Sequence, residues 1–153
     1  MKTLLIISHA PSPNTVRLQE SVMHGVDSID LTQTKVRLLS PFKATTDDVF
    51  ASDAIILGTP ENLAYMSGAL KDFFDRCYND CLEETQGMPC ASFIRAGHDG
   101  TGTIRALKTI ATGLKWRWVQ EPLVLRGEYL IEFEKQCFDL GAAMACALDQ
   151  GII

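Results

Sequence analysis

The segment TLLIIS (residues 3–8), followed at once by HAPSPNT (9–15), decides the fold. The first six residues show almost no polar alternation, which is typical of a strand covered on both faces. Two prolines, an asparagine and two hydroxyl-bearing residues then form a turn, and Leu18, Val22 and Val26 follow at helical spacing. The segment therefore predicts a buried strand, a polar turn and a helix that begins near Asn14.

The same alternation of strand and helix continues along the chain. Apolar runs at 35–40, 53–59, 90–96 and 118–125 predict four more strands, with amphipathic segments between them and a closing helix after them. Parallel strands need helical crossovers, so the pattern predicts an α/β fold: a five-stranded parallel sheet, order 2-1-3-4-5, with helices on both faces. We expect a single domain spanning residues 1–153.

Composition narrows the class of protein. The net charge of −5 argues against nucleic acid or an anionic membrane as the main partner. No apolar run approaches the roughly 20 residues of a membrane helix, and the N-terminal run lacks a signal-peptide cleavage site. Five cysteines without a paired framework fit a reducing compartment, so we expect a cytoplasmic protein. Cys77 and Cys81 share a helical face with Leu70 and Phe73, which favours a core stripe over a redox or metal pair.

Three polar loops follow predicted strands, at 8–15, 59–67 and 96–102. In a doubly wound sheet, ligands bind outside the carboxyl ends of the strands, at the point where the strand order reverses. The three loops therefore predict one site at that edge of the sheet.

The first loop has the chemistry of an anion site. A helix that begins near Asn14 offers free backbone N–H groups and the positive end of its dipole. The candidate polar groups around it are those of Ser8, His9, Ser12, Asn14 and Thr15. Phosphate is the natural occupant, and a capped turn without a ligand is the plainer alternative. Arg17, one turn into the helix, either adds a positive charge or is solvated.

Other phosphate-binding motifs do not fit this chain. It has no GxxxxGK[ST] sequence, and its first turn lacks the GxGxxG dinucleotide fingerprint. GHDGTG at 97–102 has its glycines in the wrong order. A phosphorelay receiver domain needs acidic residues after the first strand, where this chain has Ser8 and His9.

SHAPSPNT (8–15) and GTPENLAYMSGALKDFFDR (58–76) resemble the flavodoxin-like NAD(P)H-dependent FMN reductases and quinone reductases. In that family the second segment has a proline, a short polar loop, a small residue with glycine, and a helix that opens with Leu-Lys or Met-Lys. The positions that match in register are Pro60, Met66, Ser67, Gly68, Leu70, Lys71 and Asp75.

The resemblance implies an FMN site. Ser8, Ser12, Asn14 and Thr15, with His9 beside them, would hold the FMN phosphate. The isoalloxazine ring would lie against Pro60, Glu61, Asn62, Leu63 and Ala64. The other side of the ring would be closed by Gly97, His98, Asp99, Gly100 and Thr101.

The resemblance also implies the reaction: FMN accepts a hydride from NAD(P)H and reduces a small acceptor, a quinone or free flavin. The chemistry then belongs to the cofactor, so no side chain is named as catalytic. A flavodoxin-type electron carrier and a flavin-free binding module are the alternatives. A homodimer or homotetramer is expected from the family, in which a second subunit usually completes the flavin face. Substrate identity stays open, because Asn62, Leu63 and Ala64 replace the aromatic and Asn-Gly pair that reductases often carry.

Overall fold

A computed structural model describes residues 1–153 of the chain. The elements in chain order are β1 (Lys2–Ser8), α1 (Pro13–Asp27), β2 (Thr34–Leu39), α2 (Thr46–Phe50), β3 (Ala54–Asn62), β4 (Tyr65–Met66), α3 (Gly68–Cys81), β5 (Pro89–Ala96), α4 (Thr101–Leu114), β6 (Arg117–Trp118), β7 (Leu123–Arg126) and α5 (Glu132–Asp149). No helix combines the length and the apolar character that crossing a lipid bilayer requires.

The sheet has the predicted architecture. Its order is β2-β1-β3-β5, with β6 and β7 both paired to the outer side of β5, and all of these pairs are parallel. The predicted order 2-1-3-4-5 is therefore confirmed. The carboxyl ends of β1 and β3 lie side by side, since Ser8 pairs with Gly58 in register.

Two sequence expectations about the strands were wrong in detail. The continuous strand 118–125 is divided into β6 and β7, and Pro122, which has no N–H to donate, lies in the break. β3 extends beyond the expected residue 59 to Asn62 and turns back through β4 as an antiparallel hairpin. The second predicted loop is thus mostly ordered strand and turn.

Two apolar layers cover the sheet. Alternate β1 residues serve opposite faces: Leu5 and Ile7 pack in the layer with α3 and α4, and Leu4 and Ile6 in the layer with α1 and α5. The first layer also contains Cys77 and Cys81, which confirms the core stripe predicted for α3, and the buried Trp116. Each leucine, isoleucine or phenylalanine in these layers contributes roughly 1.5–3 kcal/mol when fully buried.

Glycines bring α1 and α5 close together. A Cβ built on Gly25 would lie 1.9 Å from the Phe138 carbonyl oxygen, and one on Gly141 would lie 2.1 Å from that of Val22. Only hydrogen fits at either position. These close contacts hold α5 against α1, whose N-terminus borders the site.

Candidate functional site

The polar turn after β1 is a helix cap with reciprocal hydrogen bonds. The Ser12 N–H donates to the Thr15 hydroxyl at 2.9 Å, and the Thr15 N–H donates to the Ser12 hydroxyl at 3.2 Å. The two hydroxyls are 2.9 Å apart. Ser12 precedes Pro13, the first residue of α1, whose missing N–H is no loss at that position. The helix begins where the sequence predicted.

This cap leaves donors for an anion. The N–H groups of Ala10 and Asn14 have no acceptor within the chain, and Asn14 belongs to the first turn of α1, where the helix dipole has its positive end. The Thr15 hydroxyl donates to the Ser12 carbonyl at 3.0 Å, so the cap is complete without a ligand. The predicted anion site and the plainer capped turn therefore coexist in one geometry.

His9 connects this turn to β3. Its N–H donates to the Gly58 carbonyl at 3.0 Å, and its ring lies edge-on to Phe42 at 5.9 Å between centroids. Its Nδ1 atom is buried without a hydrogen-bond partner. Burial lowers the pKa of His9, so the imidazole is neutral at pH 7 and brings no charge to the site.

The β3–β4 hairpin carries a two-residue turn that is unusual for its sequence. Leu63 and Ala64 have φ values of 51° and 63°, as a type I′ turn demands, and neither is glycine. Left-handed backbone costs a residue with a Cβ roughly 1–2 kcal/mol. Leu63 is fully exposed at 101%, so its side chain contributes no burial that offsets this cost.

Buried hydrogen bonds hold the base of the hairpin. The Thr59 hydroxyl accepts from the Ser67 N–H at 2.9 Å and donates to the Pro60 carbonyl at 2.8 Å. The Ser67 hydroxyl accepts from the Leu70 N–H at 3.2 Å, which makes Ser67 the N-cap of α3. The hairpin therefore projects from a rigid base.

Glu61 joins the hairpin to the loop after β5. One carboxylate oxygen accepts from the His98 N–H at 3.0 Å, and the other accepts from the Gly100 N–H at 2.8 Å. Asp99 completes this loop by accepting from the Thr101 N–H at 3.0 Å, and that hydrogen bond is the main cause of its lowered pKa. The predicted ring-binding segments 60–64 and 97–101 thus contact each other directly.

The arrangement fits FMN in two respects. The turn after β1 offers unpaired N–H donors beside hydroxyls, as a phosphate requires. The exposed residues of the two other loops give a planar ring an open face at the same edge of the sheet; they are Asn62, Leu63, Ala64, Gly97, His98, Asp99 and Thr101. Ser8, Pro60 and Gly100 are buried beneath them. The His98 and Gly100 N–H groups already donate to Glu61. A hydrogen-bond acceptor on the flavin ring therefore needs other N–H groups, or must displace the Glu61 carboxylate.

Sequence reasoning missed the roles of three residues at this edge. Phe42 lies in the loop after β2 and is 66% exposed. Gly102 lies so close to the hairpin that a Cβ there would be 1.9 Å from the Ala64 carbonyl oxygen. Arg95 was read only as part of a strand. A charged residue in an otherwise apolar strand was the one available signal that Arg95 has a role. The roles of Phe42 and Gly102 depend on tertiary contacts.

The cysteines take no part in the site. None forms a disulfide, and four of the five are buried. Burial raises the pKa of Cys81 to about 11 and that of Cys90 to about 12. Thiols with such pKa values are not nucleophiles at neutral pH.

The fold and the site together define a flavodoxin-like α/β protein. A flavodoxin from the domain Archaea superposes with a TM-score of 0.78 at 19% identity, covering 97% of this chain and 99% of that one. A WrbA-like flavodoxin from Agrobacterium tumefaciens gives 0.70 at 19% identity, covering 97% and 98%. At these identities the likeness shows the fold.

Sequence comparison identifies the family. The model described as NADPH-dependent FMN reductase matches residues 15–130, so the chain belongs to that family. A flavodoxin from Aquifex aeolicus (strain VF5) is 32% identical over 114 residues, which are 74% of this chain and 60% of that protein. The chain therefore spans about 60% of the length of the curated relative it matches.

Proposed function

We propose that the protein binds FMN at the carboxyl edge of its sheet and passes electrons from NAD(P)H to a small acceptor such as a quinone or free flavin. The observation that carries the proposal is the meeting of three loops at this edge in a chain of the FMN reductase family. One loop has the donors of an anion site, and the other two are tied together through Glu61.

Each part of the site has a task in this proposal. The N–H groups of Ala10 and Asn14, with the Ser12 hydroxyl, bind the phosphate, and the Thr15 hydroxyl joins them by releasing the Ser12 carbonyl. The hairpin turn and the Gly97–Thr101 loop orient the ring. When bound, FMN supplies the redox chemistry, and the chain supplies orientation and local electrostatics.

The decisive experiment is a titration of the purified protein with FMN, followed by assays with NADH and NADPH. We expect quenching of FMN fluorescence with one site per chain, and oxidation of a reduced nicotinamide that requires both FMN and menadione. Absence of FMN binding would refute the proposal that FMN is the cofactor. FMN binding without nicotinamide oxidation would refute the proposed reductase activity.

A flavodoxin-type electron carrier is the second candidate. The Aquifex relative is a flavodoxin, and the net charge of −5 suits docking to a basic redox partner. Rapid mixing separates the candidates: an enzyme's FMN is reduced by NAD(P)H within its turnover time, whereas a carrier's FMN is reduced by dithionite and not by NAD(P)H.

We also propose that the protein is a homodimer or homotetramer that covers this edge. The exposed large apolar side chains of its loops and of the short strand β4 are Phe42, Leu63, Tyr65, Leu130 and Ile131. Each loop follows a parallel strand, so the five lie at one edge of the sheet. Light scattering during gel filtration tests this proposal, and Leu63→Ser with Ile131→Ser should shift the mass toward the monomer. A wild-type mass of one chain would refute it.

A further inference from the structure

The phosphate that the proposed site would bind carries close to two negative charges at neutral pH. The turn from Ser8 to Thr15 contains no lysine or arginine, and the whole chain has a net charge of −5. His9 is the only titratable side chain in the turn, and it is neutral at pH 7 because burial lowers its pKa. Any compensating charge must come from outside the turn.

Arg95 lies in a suitable place. It is the penultimate residue of β5, paired in register with Pro60, and its side chain packs on the α1/α5 face of the sheet. The guanidinium lies over the rings of Tyr129 and Phe133, at 5.7 and 5.4 Å from their centroids. A small internal gap is bordered by Arg95 together with His9 and Thr15, so the Arg95 side chain starts behind the phosphate turn, and its guanidinium reaches toward the carbonyls of Leu125 and Gly127.

The charge of Arg95 is not neutralised by an acid. Its guanidinium donates to three main-chain carbonyls: Ala96 at 2.9 Å, Leu125 at 2.9 Å and Gly127 at 2.7 Å. The chain's five ion pairs do not include Arg95. Tyr129, on which the guanidinium packs, donates its hydroxyl proton to the Glu134 carboxylate. The carbonyls fix the guanidinium in place and leave its unit charge intact.

We propose that Arg95 is a specificity residue that supplies the positive potential for the flavin phosphate, so that the site selects FMN over riboflavin. This inference rests on the proposed FMN site. Arg95 acts through space from behind the turn, because its hydrogen bonds go to carbonyls. A partly buried cation is screened less by salt than an exposed one, which makes Arg95 more effective than the exposed Arg17.

Binding of FMN and of riboflavin to the same variants tests the proposal, because the two flavins differ only in the phosphate. We expect Arg95→Gln to weaken FMN binding about tenfold and to leave riboflavin binding within about twofold. Arg95→Lys loses the planar guanidinium but keeps the positive charge. Because the charge is what favours the phosphate, the FMN-to-riboflavin affinity ratio of this variant should stay near that of the wild type. Arg17→Gln is the matched control, with both affinities expected to change less than about threefold.

The ratio of the two affinities corrects for any loss of folded protein. Equal weakening of FMN and riboflavin in Arg95→Gln would overturn the proposal, since a purely structural role moves both. An unchanged FMN affinity would also overturn it. Should Arg95→Gln not fold, Arg95→Lys decides the outcome. An FMN-to-riboflavin affinity ratio reduced about tenfold in Arg95→Lys would overturn the proposal, and a ratio like that of the wild type would support it. A wild-type protein that binds neither flavin would instead refute the proposed function.

Discussion

Replacing Gly102 by alanine puts a methyl group where α4 meets the β3–β4 hairpin. The new Cβ would lie 1.9 Å from the Ala64 carbonyl oxygen and 3.0 Å from its carbonyl carbon. Even a close carbon–oxygen contact is about 3.3 Å long, so the Ala64 backbone must move by more than about 1 Å. No side-chain rotation relieves the clash, because the atoms that are struck belong to the main chain.

Two opposing effects set the change in the free energy of unfolding of Gly102→Ala. Gly→Ala at a compatible helical position stabilises a protein by about 0.4–1 kcal/mol, whereas overpacking costs about 1–3 kcal/mol. We expect Gly102→Ala to lower the free energy of unfolding by about 1–2 kcal/mol, and the Tm by about 3–6 °C for a chain of this size. Displacement of the turn that contains Leu63 and Ala64 should also weaken FMN binding about tenfold.

Gly68→Ala is the matched control. Gly68 is the first residue of α3, and a Cβ there meets nothing within 4 Å. This variant should gain about 0.4–1 kcal/mol and bind FMN like the wild type. Urea denaturation followed by circular dichroism, with fluorescence titration of FMN, measures both quantities. A Gly102→Ala protein as stable as Gly68→Ala, or with wild-type affinity, would refute the proposed contact between α4 and the hairpin.

Three further predictions concern strain, pH and thiols. Ala64→Gly should raise the free energy of unfolding by about 0.5–1 kcal/mol in urea denaturation, because φ there is left-handed; destabilisation would contradict the observed turn. The N–H group of Gln33, followed by that of Thr32, holds the pKa of Asp149 below its usual range. The stabilisation that these hydrogen bonds give is therefore present above about pH 4 and is lost as pH falls through the folded pKa. In urea titrations at several pH values, Asp149→Asn should reduce the decrease in the free energy of unfolding at acid pH, and Asp139→Asn, at an exposed position, should not. Burial raises the pKa of Cys137 to about 12, so this thiol should react with a disulfide reagent only on unfolding; fast labelling of the native protein, located by peptide mass, would contradict its burial.

Local signals predicted the turn after β1 well. The apolar strand and a helix that begins near Asn14 follow from neighbouring residues, and the structure adds Ser12 as the cap and Pro13 at the first helical position. The strand order followed equally directly, because short apolar runs alternating with helices allow few topologies.

The hairpin could not be predicted from local sequence. Type I′ turns usually carry Asn-Gly, and Leu63 with Ala64 gives no signal for positive φ. Tertiary contacts impose this conformation, through the Glu61 carboxylate on the next loop and the fit of Ala64 against Gly102. The location of Arg95 behind the phosphate turn likewise depends on the packing of α1 and α5 over β5, which no sequence window contains.

FMN binding by two Ser12 variants tests the phosphate turn most directly. Aspartate and asparagine are both strong N-caps, so Ser12→Asp and Ser12→Asn should each preserve α1. Only aspartate adds a negative charge, and repulsion of a dianion about 4 Å away costs about 2 kcal/mol even in water. The account predicts that Ser12→Asp binds FMN at least about 30-fold more weakly than Ser12→Asn. Equal FMN affinities in the two folded variants would contradict it.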